Sequence, residues 1–150
     1  MRIAVRRAKP KDAASVAEVF LASFNAALPT VRSVHTDDEV RRWIRDSVIA
    51  RTETWVALDG EEVAGMISLV PGWVEHLYVA PHRLGEGIGR RLLDLAKERS
   101  GGPLELWTFQ VNERARRFYE RRGFVAVELT DGAGNDEREP DMRYRWDPSA

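Results

Sequence analysis

The sequence contains no cysteine, which excludes disulfide bonds, thiolate metal sites and a cysteine nucleophile. It also has little net charge, because 23 Lys and Arg residues against 24 Asp and Glu residues give −1 at pH 7. It therefore has no broad basic field of the kind that attracts nucleic acid. No apolar run is long enough to cross a membrane, and the first residues lack the apolar core of a signal peptide. We expect a soluble, cytoplasmic protein with no nucleic-acid or membrane partner.

The rest of the composition is that of an ordinary globular protein, with 43% hydrophobic and 31% charged residues. A length of 150 residues suits one domain with a substantial core. No internal repeat, linker or low-complexity tract divides the chain. The sequence therefore predicts a single domain over residues 1–150.

Hydrophobic periodicity and turn signals predict the element order β-α-α-β-β-β-α-β-α-β-β. The Thr36-x-x-Glu39 pattern predicts a helix start by a capping box, and Asp59-Gly60 predicts a hairpin turn between two strands. The strand-helix-strand run over 73–109 implies a local parallel pair with a right-handed crossover. We therefore predict an α/β fold with a mixed, mostly antiparallel sheet.

The most informative stretch runs from Leu77 to Leu93, where an apolar strand is followed by a loop with Gly85, Gly87 and Gly89 and then by a helix. Glycine can adopt positive φ and lets a backbone lie close to a ligand. The N-terminus of the following helix presents unpaired N–H groups and the positive end of its dipole. The stretch therefore predicts a site for a phosphate or pyrophosphate.

Two other interpretations of this loop remain open from its residues alone. It could be a tight strand-to-helix turn with no ligand, or part of a dinucleotide-binding oxidoreductase. The latter is disfavoured because Arg90 stands where the Gly-x-Gly-x-x-Gly fingerprint needs its third glycine. A P-loop is excluded because the chain has no Gly-Lys-Ser or Gly-Lys-Thr.

A second motif lies downstream, where residues 112–124 read Asn-Glu-Arg-Ala-Arg-Arg-Phe-Tyr-Glu-Arg-Arg-Gly-Phe. It resembles the Asn-x-x-Ala-x-x-Phe-Tyr-x-x-x-Gly-Phe signature of the GNAT superfamily of N-acetyltransferases. Residues 84–89 are similar to the acetyl-CoA loop of that family, Gln/Arg-x-x-Gly-x-Gly/Ala. The resemblance covers nearly the whole chain and implies helices on both faces of the sheet, with acetyl-CoA as cosubstrate. Leu84 departs from the Gln or Arg of the family, which leaves the contribution of its side chain open.

The resemblance also implies which residues bind the cofactor. The backbone of the loop would hold the CoA pyrophosphate, and these residues are Leu84, Gly85, Glu86, Gly87, Ile88, Gly89 and Arg90. The strand end formed by Leu77, Tyr78 and Val79 would bind the pantetheine arm, and N–H groups near Val79 would polarise the thioester carbonyl. Asn112 would contact the same arm, although its position also fits a simple helix N-cap.

Charged side chains around the loop could add contacts to the CoA phosphates. The candidates are Arg83, Arg90 and Arg91. For Arg91, a solvated position on the helix surface is the simpler interpretation.

Two residues are implied to be catalytic. Tyr119 would donate a proton to the departing CoA thiolate, unless it is only a core residue. Glu75 would act as general base, directly or through water, unless it is only an exposed strand residue. His76 is expected on the opposite face of the strand by alternation, and the sequence does not decide between Glu75, His76 and water as the base.

These implications predict an N-acetyltransferase that moves acetyl from acetyl-CoA to a primary amine of a small molecule or peptide by direct attack, without a metal. The alternative is a non-catalytic acyl-CoA-binding module of the same fold. The loop at 26–35 and the acidic loop at 131–141 are expected to shape the acceptor pocket. Most tryptophans are expected in the core, with Trp73 and Trp107 as candidates to line the cleft. The identity of the acceptor and the oligomeric state stay open, a homodimer being one option.

Overall fold

A computed structural model describes residues 2–149, so that Met1 and Ala150, the two ends of the predicted domain, lie outside it. Within this range, seven strands form one sheet in the order β1-β2-β3-β4-β5-β7-β6. The strands are β1 Ala4–Arg7, β2 Glu53–Asp59, β3 Glu62–Val70, β4 Trp73–Val79, β5 Leu104–Phe109, β6 Val125–Leu129 and β7 Asp141–Trp146. Only the β4–β5 pair is parallel. The predicted mixed, mostly antiparallel sheet is therefore confirmed.

The α-helices are α1 Ala13–Ala27, α2 Asp37–Trp43, α3 Ile88–Ser100 and α4 Glu113–Glu120. The predicted capping box starts α2, where the Glu39 N–H donates to Thr36 Oγ1 at 3.1 Å and the Thr36 N–H donates to the Glu39 carboxylate at 2.9 Å. Helix α2 is followed directly by a π-helix over Ile44–Ile49. Across the described residues, every helix falls short of the length and apolarity that a membrane crossing needs.

Two hydrophobic cores lie on opposite faces of the sheet, which confirms the predicted helices on both faces. On one face, α3 packs on the strands through buried residues that include Ile88, Leu92, Ile67, Leu106 and Tyr144. On the other, α1 and α2 pack through buried residues that include Val16, Ala17, Val40, Val56 and Met66.

Strand β4 contains a bulge at Glu75 and separates from β5 beyond its first residue. His76 lies opposite Ser68 and Val74 opposite Leu69, so Glu75 is an extra residue without a partner on β3. The β4–β5 register contains a single pair, Trp73 opposite Glu105. The end of β4 therefore borders a gap in the sheet, and the simple alternation expected for Glu75 and His76 is interrupted by the bulge.

The Ser68 hydroxyl on β3 is fully buried and has no hydrogen-bond partner among residues 2–149. An unsatisfied buried polar group costs about 1–3 kcal/mol of stability. We therefore expect Ser68→Ala to keep or raise the melting temperature in scanning calorimetry. Thr54→Ala is the matched comparison, because the hydroxyl of Thr54 donates to the Val48 carbonyl at 3.2 Å and its loss should lower the melting temperature. A clear fall for Ser68→Ala would show that an ordered water satisfies the hydroxyl.

Candidate active site

The N-terminus of α3 is capped by backbone alone. Gly87 is the N-cap residue with φ +83°, and Gly85 has φ +82°, so both occupy the left-handed region that favours glycine. Among the described residues no side chain caps this helix, which leaves the N–H groups of its first turn available. A Cβ atom built at either glycine would have no neighbour within 4 Å, so the loop surface is open. This geometry can accept an anion, as the sequence predicts.

The third glycine of the motif, Gly89, allows two helices to pack closely and does not shape the loop. Gly89 lies inside α3, and a Cβ atom there would come within 3.3 Å of the Phe118 ring. The absence of a side chain therefore lets the first turn of α3 approach α4.

Arg83, one of the candidates for a contact with a CoA phosphate, has its guanidinium engaged with three carboxylates. It is buried and pairs with Asp59 at 3.0 Å, Glu62 at 3.1 Å and Glu86 at 2.9 Å. These hydrogen bonds, that of Glu86 foremost, raise the pKa of Arg83, so it stays charged. Arg83 thus ties the glycine loop to the β2–β3 turn.

We expect Arg83→Met to lower the melting temperature by several degrees and to weaken CoA binding, because the loop loses its tether and three carboxylates lose their cation. The measurements are a thermal melt and a calorimetric CoA titration. Arg45→Met is the matched control: its pair with Asp46 is solvent-exposed on both sides and should contribute little. Equal changes in melting temperature and CoA affinity for the two variants would contradict the role of Arg83 in holding the loop.

The other two candidate arginines differ from each other. Arg91 donates to the Ile3 carbonyl, which agrees with a role on the helix surface. Arg90 is exposed in the first turn of α3 and has no ion-pair partner among residues 2–149. Burial, followed by the charge of Arg90, lowers the pKa of Arg122. Arg90 is therefore the candidate that remains available to an anion.

The end of β4 presents backbone groups to the gap. The Ala80 N–H donates to the Ala64 carbonyl on β3 at 2.9 Å. Because successive residues of a strand point their backbone groups to opposite sides, the N–H of Val79 points away from β3, toward β5. The Val79 carbonyl accepts a hydrogen bond from Ser23 of α1 at 2.7 Å, which fixes this part of the strand.

Tyr119 lies buried on α4, with its ring 5.6 Å from that of Phe124 and 6.2 Å from that of Tyr144. Its hydroxyl has no hydrogen-bond partner among residues 2–149, whereas the Tyr144 hydroxyl donates to Glu120 at 2.5 Å. Burial, with a smaller effect of Tyr78, raises the pKa of Tyr119, so the phenol keeps its proton at neutral pH. The group could therefore donate a proton near the end of β4.

Asn112 caps α4, because its Oδ1 accepts from the Ala115 N–H at 3.2 Å. Its amide nitrogen has no hydrogen bond to residues 2–149. The N-cap interpretation therefore holds, and a donor remains for a ligand.

An aromatic wall lies on the α1–α2 face beside the gap, formed by Phe20, Phe24, Trp43, His76 and Tyr78. Ring centroids are 4.7 Å apart for Phe20 and Tyr78, 5.5 Å for Phe20 and Trp43, and 4.9 Å for Trp43 and His76. Burial lowers the pKa of His76 to about 4, so its ring is neutral at neutral pH. Glu75, by contrast, is exposed at the bulge.

The expectation that most tryptophans are core residues is wrong, because none of the five is buried: Trp55, Trp73 and Trp146 are partly buried and the other two are exposed. Trp43 is 37% exposed and Trp107 is 43% exposed. Trp107 alternates with the buried Leu106 on β5, so it faces the same side of the sheet as the aromatic wall, across the gap. The hypothesis that Trp107 lines a cleft fits this position.

Two loops meet over this side of the molecule. His35 of the α1–α2 loop lies 3.6 Å from Asp136 of the β6–β7 loop. Asp141, predicted to face the acceptor, instead holds its own loop by accepting from Thr130 and, at 3.2 Å, from Asn135. Glu137 has no hydrogen bond or ion pair within residues 2–149 and is partly buried.

The sequence does not reveal that Phe20, Phe24 and Trp43 form a partly exposed aromatic wall. Their spacing is helical, which is the same signal that buried residues give. What distinguishes these three residues from core residues is the position of α1 and α2 over the open end of β4.

The split between β4 and β5, next to a helix N-terminus with available N–H groups, places this chain in the class of α/β acyltransferases. The model of the acetyltransferase (GNAT) family matches residues 16–124, and the chain therefore belongs to that family. The resemblance found in the sequence is thereby confirmed.

Individual relatives agree with this assignment. The peptidyl-lysine N-acetyltransferase YiaC of Escherichia coli is 27% identical over 144 residues, 95% of each chain. The solution structure of apo YjaB from Escherichia coli superposes with a TM-score of 0.81 at 22% identity, covering 97% of this chain and 98% of that one. YncA of Salmonella typhimurium, solved with its cofactor acetyl-CoA, superposes with a TM-score of 0.71 at 19% identity, covering 98% and 94%.

Proposed function

We propose that this protein transfers the acetyl group of acetyl-CoA to a primary amine by direct attack. The observation that carries the proposal is the position of Tyr119, whose buried side chain belongs to the same hydrophobic cluster as Leu77 and Val79 at the open end of β4. Membership of the acetyltransferase family supports it. So does the structural neighbour YncA, which was solved with acetyl-CoA.

The cofactor would lie along the features described above. Its pyrophosphate would accept hydrogen bonds from the backbone of residues 84–90, with Arg90 adding charge. Its pantetheine arm would lie along the backbone of Leu77, Tyr78 and Val79 and accept a hydrogen bond from the Asn112 amide. The gap between β4 and β5 leaves the backbone groups of Leu77 and Val79 available, whereas those of Tyr78 alternate toward β3 and pair there.

The acetyl transfer would then proceed by attack of the amine and loss of the CoA thiolate. The neutral amine nitrogen attacks the thioester carbon, and the Val79 N–H stabilises the negative charge that develops on the oxygen. The C–S bond breaks as the amide forms, and the Tyr119 phenol gives its proton to the departing sulfur. Glu75, directly or through a water, takes the proton that the ammonium form of the amine loses before the attack and passes it to solvent. The proton that the nitrogen loses as the amide forms also passes to solvent, and solvent returns a proton to Tyr119.

The acceptor would be a primary amine of a small molecule or a peptide. The relative YiaC is a peptidyl-lysine N-acetyltransferase, which makes a lysine side chain a specific candidate.

The test is mass spectrometry of a panel of amines and lysine peptides after incubation with acetyl-CoA, together with thiol release. Acetylated amine and free CoA in equal amounts would support the proposal. Stabilisation by CoA in a thermal melt without transfer to any amine would favour the acyl-CoA-binding module instead. Stabilisation by NADH and not by CoA would contradict both.

A further inference from the structure

We infer that the acceptor site takes a primary amine carried on an apolar arm, with the arm lying on the aromatic wall and the ammonium group facing Glu137. This inference rests on the proposed function and adds the substrate class. The chemistry fits a free alkylamine or the four-carbon arm of a lysine side chain.

The first argument is the exposed apolar surface of the wall. Its five rings are each partly exposed although they contact one another. A partly exposed group of aromatic side chains beside a gap in a sheet is typical of a binding surface. With His76 neutral, the wall carries no charge of its own at neutral pH. It therefore favours methylene or ring groups over hydroxyl-rich arms.

The second argument is the carboxylate at the end of the wall. Asp136, the neighbour of Glu137, lies 3.6 Å from His35, so the loop that carries Glu137 lies against the α1–α2 loop, and Glu137 is partly buried there without a partner among residues 2–149. Its charge adds to the effect of burial in raising the pKa of Tyr78 to about 12. Two other carboxylates of the β6–β7 loop already have partners within the protein. Asp136 lies beside His35, and Asp141 accepts hydrogen bonds from Thr130 and Asn135. A partly buried carboxylate without a partner is matched by a cation, and aromatic rings add cation–π attraction.

A matched pair of ligands tests the apolar arm. Hexylamine and 2-(2-aminoethoxy)ethanol have chains of equal length and one amine each, but the second has oxygen at two chain positions. Because each buried methylene is worth about 0.8 kcal/mol, we expect hexylamine to bind the CoA-saturated protein at least about tenfold tighter in calorimetric titrations. Equal or weaker binding of hexylamine would overturn the inference.

Two variants test the assigned residues. Trp43→Ala should remove most of the preference for hexylamine, and Glu137→Gln should weaken both amines by about fivefold or more. Glu61→Gln is the matched control, since it makes the same charge change at an exposed residue of the β2–β3 turn. Unchanged affinities in both test variants, or equal effects of Glu137→Gln and Glu61→Gln, would contradict the assignment.

These measurements need no acetyl transfer, so they separate the inference from the proposed function. If the protein acetylates amines but does not bind hexylamine more tightly than 2-(2-aminoethoxy)ethanol, only the inference is refuted. If it prefers hexylamine but acetylates no amine, only the proposed function is refuted. Competition with Nα-acetyl-lysine amide identifies the source of the arm. Tighter binding of the lysine derivative supports the inference with a lysine side chain as the acceptor, and tighter binding of hexylamine supports it with a free alkylamine.

Discussion

Tyr119→Phe is expected to lower kcat by about 10²–10⁴-fold, which is the usual contribution of a positioned general acid. The substitution removes only the hydroxyl, so the ring keeps its contacts with Phe124 and Tyr144. Because the hydroxyl has no hydrogen bond to residues 2–149, stability should change little. Steady-state kinetics with a saturating amine, together with a thermal melt, measure both effects.

Tyr144→Phe provides the matched control for this experiment. It also removes one phenolic hydroxyl from the same core, but that hydroxyl donates to Glu120 at 2.5 Å. We expect the control to lose about 1–3 kcal/mol of stability and to keep its kcat. An unchanged kcat for Tyr119→Phe, with chemistry limiting the rate, would remove Tyr119 from the mechanism and leave water or the amine as the proton source.

Gly87→Val is expected to weaken CoA binding by about 100-fold or more, which corresponds to about 2.7 kcal/mol. A branched side chain would occupy the open surface over which the pyrophosphate is proposed to lie. From sequence alone, we expect the unliganded fold to survive this change largely intact. The structure alters that expectation, since φ +83° strains any L side chain at this position by about 1–2 kcal/mol.

The affinity and the stability are measured separately, by a calorimetric CoA titration and by urea unfolding. Gly102→Val is the control, because that glycine also has open space around it but no positive φ, and it should change neither quantity appreciably. If Gly87→Val lost stability yet bound CoA normally, the pyrophosphate site would lie elsewhere.

The elements of the fold could be predicted because their signals are local. The capping box at Thr36 and the hairpin turn at Asp59-Gly60 each depend on a few neighbouring residues, and both occur where expected. The two family motifs then identified the family to which this element order belongs. The glycine-capped start of α3 likewise follows from residues that are adjacent in the chain.

The remaining features depend on residues far apart in the sequence. The bulge at Glu75 is defined by its register with β3, which no pattern within β4 reveals. The partners of Arg83 include Asp59, which is 24 residues away, so a basic side chain beside a phosphate loop was taken for a ligand contact. The aromatic wall was missed because partly exposed and buried helical faces have the same periodicity.

The ion pairs of Arg83 also constrain how this family member can diverge. A cation enclosed by Asp59, Glu62 and Glu86 cannot change alone without leaving acidic groups unbalanced. Substitutions at these four positions should therefore be inherited together, so that descendants either retain the whole set or replace it by uncharged residues. Among related sequences, substitutions in the β2–β3 turn should therefore correlate with substitutions in the glycine loop.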